Sequence, residues 1–110
     1  MPITVNNRII ETDKNGYLIN HKEWTLEVAE EIARLESLNL TESHWEVINF
    51  VRDFYEQFEK SPAMRPLVKY LKKKLGEEKG NSIYLALLFP GGAAKQSTKL
   101  AGLPKPARCI

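Results

Sequence analysis

Residues 41–60, TESHWEVINFVRDFYEQFEK, decide the fold of this chain. Polar side chains recur at helical spacing and form one narrow stripe: Glu42, Glu46, Asn49, Asp53, Glu56 and Lys60. Apolar side chains cover the rest of the circumference: Trp45, Val47, Ile48, Phe50, Val51, Phe54, Tyr55 and Phe58. An apolar surface of this width is typical of a helix inside a protein, and Thr41 is a suitable N-cap. We therefore predict a central helix that holds most of the aromatic core.

The segment before this stretch also has helical periodicity. Thr25 is a suitable N-cap, and Val28, Ile32 and Leu35 line one side of the helix that would follow it. We predict that this helix ends near residues 38–39.

A third helix is predicted after the central one. Pro62 follows a serine, which is a helix-start signal, and Gly76 is a stop signal. The apolar positions between them repeat at helical spacing: Met64, Leu67, Val68, Leu71 and Leu75. Because Pro66 would remove an internal hydrogen bond from a helix that starts at Pro62, the helix either begins nearer Pro66 or has a distorted first turn.

Two shorter helices are predicted towards the C-terminus. Residues 83–89 are almost wholly apolar, and Asn81 or Ser82 can cap them. Because this segment has no polar face, we predict that it is buried. A last helix spans residues 93–101, and Gly102 closes it.

The N-terminal residues have the alternation of short strands. Residues 3–5, 8–11 and 17–19 are strand-like, and they are separated by two asparagines at 6–7 and by Asp-Lys-Asn-Gly at 13–16. Such turns supply the positive φ angles that tight hairpins need. We predict a small β-meander.

Together these segments predict an α+β, mainly helical fold. A chain of 110 residues has the size of one domain. We expect a single domain over residues 1–102, with the small β-meander (1–20) packed on about five helices (24–102). Residues 103–110 are expected to form an extended, semi-stiff C-terminal arm.

Composition excludes several classes of protein. The longest apolar run, residues 83–89, is far shorter than the roughly 20 residues of a membrane span, so we expect no membrane partner. The N-terminus lacks the pattern of a secretory signal, and we therefore expect a cytoplasmic protein. A single cysteine excludes an internal disulfide and a paired-cysteine zinc or redox site, and we expect no cofactor and no metal.

Charge is distributed unevenly along the chain. Residues 1–64 hold 6 basic and 12 acidic residues, whereas residues 65–110 hold 10 basic and 2 acidic ones. Such asymmetry favours an anionic partner, either a nucleic acid or an acidic protein surface. A basic helix face that only contacts solvent explains the same counts.

The only cysteine, Cys109, is the candidate catalytic residue. It follows Pro104 and Pro106, which favour an extended backbone that reaches roughly 25 Å beyond Gly102 at about 3.1 Å per residue. The cation of Arg108 favours the thiolate of Cys109, and the terminal carboxylate opposes it. An inert thiol on a frayed end is the alternative.

A lone thiol on an arm limits the reaction class. Hydrolysis by cysteine needs a held histidine and an oxyanion hole, which a terminal arm does not offer. Sulfur carriage needs only access, because a thiolate can take the outer sulfur of a persulfide and present it to an acceptor. The arm therefore favours a carrier over a hydrolase.

Other candidate residues give weaker signals. His44 lies in the first turn of the central helix, where a capping or surface role is common, and no second ligand stands at helical spacing from it. His21 is also a weak candidate. A basic cluster could contact phosphate or only face solvent: Lys69, Lys72, Lys73 and Lys74. The two helices at 41–60 and 62–75 are also compatible with a helix-turn-helix that binds nucleic acid.

Three stretches resemble the DsrC/TusE family, specifically its TusE branch: residues 44–71 (HWEVINFVRDFYEQFEKSPAMRPLVKYL), residues 76–106 (GEEKGNSIYLALLFPGGAAKQSTKLAGLPKP) and the penultimate Cys109. The TDKNGYL turn at 12–18 extends the similarity. The resemblance implies a β-meander on about five helices with a mobile arm. It also implies a sulfurtransferase that carries persulfide sulfur on Cys109, from the TusBCD complex to the thiouridylase MnmA, for 2-thiouridine in tRNA.

The resemblance makes the residue at position 98, a threonine, informative about function. DsrC-like relatives that work with sulfite reductase carry a second cysteine at the matching place, and threonine cannot resolve a persulfide. This favours simple carriage, with a sulfite-reductase partner or a helix-turn-helix module as the alternatives. The family pattern does not distinguish which basic residues near the arm contact a partner or tRNA: Lys95, Lys99, Lys105 or Arg108.

Overall fold

A computed structural model describes residues 2–106. Within these residues there are two strands, a 3₁₀ turn and five α-helices, so the predicted mainly helical α+β fold is confirmed. In chain order the elements are β1 (Ile3–Val5), β2 (Arg8–Ile10), the 3₁₀ turn (His21–Glu23), α1 (Leu26–Leu35), α2 (Glu42–Phe58), α3 (Met64–Leu75), α4 (Ser82–Leu88) and α5 (Ala93–Leu100).

The N-terminal sheet is an antiparallel hairpin of two strands. Ile3 pairs with Ile10 across it, and Asn6 and Asn7 make the turn with φ angles of 50° and 63°. The predicted third strand is reduced to a single bridge between Thr12 and Leu18. The reason is local: the turn at 13–16 is held tightly by the Asp13 carboxylate, which leaves no run of extended backbone to pair.

The centre of the fold is α5, and not α2 as the sequence predicts. α5 contacts each of the other four helices. Small side chains make this possible, because Ala93, Ala94, Ser97 and Thr98 are all buried and let neighbouring helices approach closely.

None of the aromatic residues of α2 is fully buried, although Trp45, Phe50 and Tyr55 pack against the core. Val47, Ile48 and Val51 are the buried hydrophobic residues of this helix. Phe54 and Phe58 instead contact each other with ring centres 4.6 Å apart, and Phe58 is half exposed. The prediction that α2 holds most of the aromatic core is therefore wrong.

The end of α1 differs from its predicted position, whereas the start of α3 agrees with one of the two predicted alternatives, a start nearer Pro66 than Pro62. α1 stops at Leu35 because Ser37 adopts a left-handed conformation with φ 57°, and Leu35 itself is exposed. α3 begins at Met64, with Ala63 as its N-cap. Pro66 thus lies in the first turn, where a backbone N–H has no intrahelical partner, so the proline removes no bond.

α4 is buried on one side only. Leu85 is fully buried, but Ile83 and Leu87 are 76% and 78% exposed. The prediction that the whole segment is buried is wrong, because the seven-residue helix packs one face against α5 and leaves the opposite face open.

Candidate functional site

The predicted catalytic residue Cys109 and its neighbour Arg108 lie outside the described residues. The structure describes the chain that leads to them, residues 100–106, where α5 ends and the predicted arm begins. We call this segment the arm root.

Side chains from separate parts of the fold hold the arm root. Trp24 donates from Nε1 to the carbonyl oxygen of Leu100 over 2.7 Å. Arg52 donates from Nη1 to the carbonyl oxygen of Ala101 over 2.8 Å, and its guanidinium lies 4.0 Å from the centre of the Trp24 ring. Two consecutive carbonyl groups at the end of α5 are thereby fixed by two side chains that also contact each other.

Gly102 is required at this place for two reasons. Its φ is +71°, and its N–H donates to the carbonyl oxygen of Lys99, which closes α5 as predicted. A Cβ added to Gly102 would lie 2.3 Å from Cδ1 of Trp24. The glycine therefore allows both the left-handed turn and the close contact with the tryptophan.

The first residues of the predicted arm lie on the body of the protein. Leu103 is only 2% exposed and belongs to the hydrophobic core, and Pro106 is also buried. Ser61 donates a hydrogen bond from Oγ to the carbonyl oxygen of Pro104. The reach predicted for the arm counts every residue after Gly102, but the chain contacts the body of the protein as far as Pro106.

Three of the four basic residues considered near the arm line one pocket of about 240 Å³. We call it the arm-root pocket. Its lining residues are Asn15, Tyr17, Glu36, Gly91, Lys95, Gln96, Lys99 and Lys105.

A hydrogen-bonded network forms one wall of this pocket. Lys99 Nζ lies 3.4 Å from a Glu36 carboxylate oxygen, and Gln96 donates to the other oxygen over 3.2 Å. The Gln96 carbonyl in turn accepts from the Gly91 N–H over 3.2 Å. Glu36 is thus fixed against α5 by one cation and one amide.

The arm-root pocket carries an excess of positive charge. Glu36 pairs with Lys99, whereas Lys95 and Lys105 are exposed and have no ion pair among residues 2–106. Two uncompensated ammonium groups beside the arm root can attract an anionic group, either a carboxylate or a phosphate.

Thr98 points away from this pocket and into the core. It is 0% exposed, and its hydroxyl has no hydrogen-bond partner within the described part of the chain. The position that the family resemblance singles out is therefore a buried one at the centre of the fold, next to Lys99 of the pocket.

His44 has a structural role. Thr41 donates its N–H to His44 Nδ1 over 3.1 Å, so Nδ1 is an acceptor and the proton lies on Nε2. Nε2 is 2.7 Å from the carbonyl oxygen of Leu88, to which it donates. Both ring nitrogens are used, which confirms the capping role and leaves neither for chemistry.

Within residues 2–106, the other candidate histidine, His21, belongs to no metal-binding cluster. His21 contacts the ring of Tyr55 at 5.3 Å. Between residues 2 and 106, no cluster of three or more His, Cys, Asp or Glu residues could hold a metal ion. Over the same span, none of the helices has both the length and the apolar character that a membrane crossing demands.

The basic residues of α3 are placed unfavourably for a helix-turn-helix. Recognition helices read bases mainly with residues near their N-terminus. In α3 three of the five basic residues, Lys72, Lys73 and Lys74, lie in the last turn, and Lys72 lies 3.6 Å from Glu77. Arg65 is the one basic residue of the first turn. This geometry disfavours the DNA-binding hypothesis.

Sequence reasoning missed Trp24 and Arg52. Arg52 is the one cation of α2 that lies outside the polar stripe of that helix, beside apolar positions such as Ile48. A charged residue on an apolar side needs a partner, and this signal could have identified it.

The whole chain is similar to known proteins. A family model described as "DsrC like protein" matches residues 4–110. A Haemophilus influenzae protein named "Sulfurtransferase TusE homolog" is 57% identical over 108 residues, which are 98% of this chain and 99% of that protein.

Solved structures share the fold over its full length. The NMR structure of DsrC from Allochromatium vinosum has a TM-score of 0.90 and 48% identity, covering 100% of both chains. The crystal structure of the oxidized gamma-subunit of the dissimilatory sulfite reductase (DsrC) from Archaeoglobus fulgidus has a TM-score of 0.84 and 36% identity, again over 100% of both chains.

Proposed function

This chain belongs to the family of DsrC-like proteins, and from that membership we propose that it is a sulfurtransferase that carries sulfur on Cys109. One observation carries the proposal: the chain matches a relative named as a sulfurtransferase over almost its whole length, and it contains a single cysteine. Sulfur that is carried on a thiol therefore has one possible site in this chain.

The proposed chemistry is thiol–persulfide exchange. The Cys109 thiolate attacks the outer sulfur of a donor persulfide, R–S–S–H, and forms a new S–S bond. The donor's own S–S bond breaks, and its inner sulfur leaves with the electron pair as a thiolate. The product is Cys109–S–S–H, and no external oxidant or reductant is needed because the transferred sulfur keeps its oxidation state.

Delivery of the sulfur to the acceptor also proceeds by attack on the outer sulfur of a persulfide. A nucleophile of the acceptor attacks the outer sulfur of the Cys109 persulfide, and Cys109 leaves as the thiolate. The carrier is thereby regenerated.

For the partners, we propose the TusBCD complex as donor and MnmA with bound tRNA as acceptor, in the cytoplasm, with 2-thiouridine as the product. The arm-root pocket supports a charged contact beside the arm. Lys95 and Lys105 are exposed and unpaired within the described residues, so an acidic partner surface or a tRNA phosphate can approach them directly.

The similarity to a sulfite reductase gamma-subunit favours one alternative, association with a sulfite reductase. Thr98 argues against an equivalent mechanism, because a chain with one cysteine cannot form an internal disulfide.

Peptide mass spectrometry tests the carrier role. The reduced full-length chain is incubated with a cysteine desulfurase, cysteine and the donor complex. We expect the peptide that contains Cys109 to gain one sulfur atom, and this gain to disappear after dithiothreitol treatment. Cys109→Ser should gain none and should fail to support 2-thiouridine formation by MnmA.

Two results would overturn the proposal. The first is an unmodified Cys109 under conditions in which the donor complex itself is persulfidated. The second is equal tRNA thiolation with the Cys109→Ser variant. Stable co-purification with a sulfite reductase, combined with either result, would favour the alternative.

A further inference from the structure

The exposed face of α4 is the largest departure from what the sequence predicts. Ile83 and Leu87 are one helical turn apart and are more than three-quarters exposed, and Ala86 lies exposed between them. The surrounding chain carries no charge at all between Lys79 and Lys95. A contiguous apolar face of this kind marks a surface that contacts another molecule.

A groove runs beside this face. Its apolar part, of about 610 Å³, lies between α4, the start of α3 and the loop that leads into α5. A second groove of about 370 Å³ continues from it, because Met64 and Ser82 line both. The two together form one depression that we call the α3–α4 groove.

The second part of the α3–α4 groove has a basic border. Arg65, Lys69 and Lys72 follow one face of α3 and line it together with Val68. Arg65 and Lys69 are exposed and make no ion pair with any residue from 2 to 106, whereas Lys72 lies 3.6 Å from the exposed carboxylate of Glu77. The surface thus combines an apolar floor with positive charge on one side.

We propose that the α3–α4 groove and the exposed face of α4 form a docking surface for an acidic, amphipathic segment of a partner protein. An apolar stripe on such a segment covers Ile83, Leu87 and Met64, and carboxylates beside the stripe face Arg65 and Lys69. The positive charge of the basic border favours an acidic occupant. A second copy of the chain docked on the same face would bring two basic borders together, and the tail at 107–110 carries Arg108 and no acidic residue.

This docking surface is distinct from the arm-root pocket. The two share no lining residue, although each is lined by part of the loop between α4 and α5. The proposal does not depend on sulfur transfer, so the Cys109→Ser variant should bind the partner segment as the wild type does.

A displayed library of random 16-residue peptides tests the proposal. Peptides are selected on the full-length chain and counter-selected on the Ile83→Glu/Leu87→Glu variant. We expect the enriched peptides to be acidic, with apolar residues at i, i+3 and i+4. Enrichment of basic peptides, or enrichment of none, would overturn the proposal.

Point variants then test the two parts of the surface. Binding of a selected peptide, measured by calorimetry, should weaken at least about tenfold in Ile83→Glu/Leu87→Glu, since each buried aliphatic side chain contributes that much or more. Arg65→Glu/Lys69→Glu should weaken it severalfold, and less so in high salt. Lys73→Glu is the matched control, because Lys73 is exposed on the same helix but does not line the groove. An equal loss in the control would overturn the charged border.

Two other occupants of the α3–α4 groove, the chain's own tail and a second copy of the chain, would give different experimental results. A spin label on Cys109, the only thiol, would broaden the NMR signals of the Ile83 and Leu87 methyl groups if the chain's own tail lay in the groove. Sedimentation of the wild type and of Ile83→Glu/Leu87→Glu detects a second copy. Either result without peptide binding would contradict the proposal.

Discussion

Arg52 donates a hydrogen bond to the carbonyl oxygen of Ala101 over 2.8 Å while its guanidinium lies 4.0 Å from the centre of the Trp24 ring. Burial lowers the pKa of Arg52, and the nearby Glu56 carboxylate partly opposes that effect. The group stays charged, because arginine is not deprotonated in proteins. One cation therefore ties α2 both to the segment before α1 and to the root of the arm.

Replacing Arg52 should measurably destabilise the fold. Arg52→Met keeps most of the aliphatic stem but removes the hydrogen bond to Ala101 and the contact of the cation with Trp24. We expect the free energy of unfolding to fall by about 2 kcal/mol, as measured by urea denaturation. Arg34→Met is the control, since Arg34 is exposed and its one ion-pair partner among residues 2–106 is Glu31 on its own helix, and it should leave the urea midpoint unchanged. Equal shifts in the two variants would contradict an anchoring role for Arg52.

Gly102 should tolerate no side chain. In Gly102→Ala, the left-handed φ and a Cβ placed 2.3 Å from the Trp24 ring both oppose the native structure. We expect a loss of about 3 kcal/mol of stability, combining backbone strain and overpacking.

Gly76→Ala separates these two contributions. Gly76 also has a positive φ, of 96°, but nothing lies within 4 Å of the position that its Cβ would take. With ψ at 173° its backbone lies in a region that is essentially confined to glycine, so the substitution should cost about 2 kcal/mol, from the backbone alone. If both alanine variants unfold at the same urea concentration, the contact between Gly102 and Trp24 does not restrict this position.

Thr98→Val should stabilise the protein. The two side chains have similar volumes, and the Thr98 hydroxyl is buried with no partner among the described residues, so valine removes an unsatisfied polar group. We expect a gain of about 1 kcal/mol in the free energy of unfolding. Ser97→Ala is the comparison, because the buried Ser97 hydroxyl donates to the carbonyl oxygen of Ala93 and its removal should bring no gain. A destabilised Thr98→Val would mean that the hydroxyl has a partner, such as a buried water molecule.

The sequence predicts the helices of this fold better than their arrangement. N-caps and stop residues act within one or two turns, so Thr25, Thr41 and Gly102 are correctly identified from the sequence alone. Which helix lies at the centre depends on how closely neighbours can approach. The small residues of α5 place this helix at the centre. The sequence does not reveal this, because their pattern resembles that of an ordinary polar helix.

The candidate site shows the same contrast between local features, which the sequence predicts, and contacts between distant residues, which it does not. Cys109 is conspicuous in the sequence because it is the only thiol, and Lys95, Lys99 and Lys105 because they are basic and near it. The contacts that fix the arm root join residues 43 to 76 positions apart, such as Trp24 and Leu100, and no local pattern encodes a pair of that separation. The exposed face of α4 was missed for a related reason, because an apolar segment without a polar face is typical of burial.

Removing charge from the arm-root pocket should slow sulfur exchange with protein partners and leave the thiol itself unchanged. Lys95→Gln/Lys105→Gln removes the two ammonium groups that have no ion pair in the described chain and keeps the Lys99–Glu36 pair intact. Exposed charges act mainly on encounter rates, so we expect the rate of sulfur exchange to fall severalfold at low ionic strength. This difference should shrink towards 1 M salt, where the screening length is about 3 Å. Lys73→Gln/Lys74→Gln changes the net charge equally but lies in the last turn of α3, outside the pocket, and should have little effect. Single-turnover sulfur transfer measures the loss, and alkylation of Cys109 by iodoacetamide should proceed at the same rate in all three proteins. Equal slowing in the two double variants would show that overall charge, and not the pocket, determines the rate.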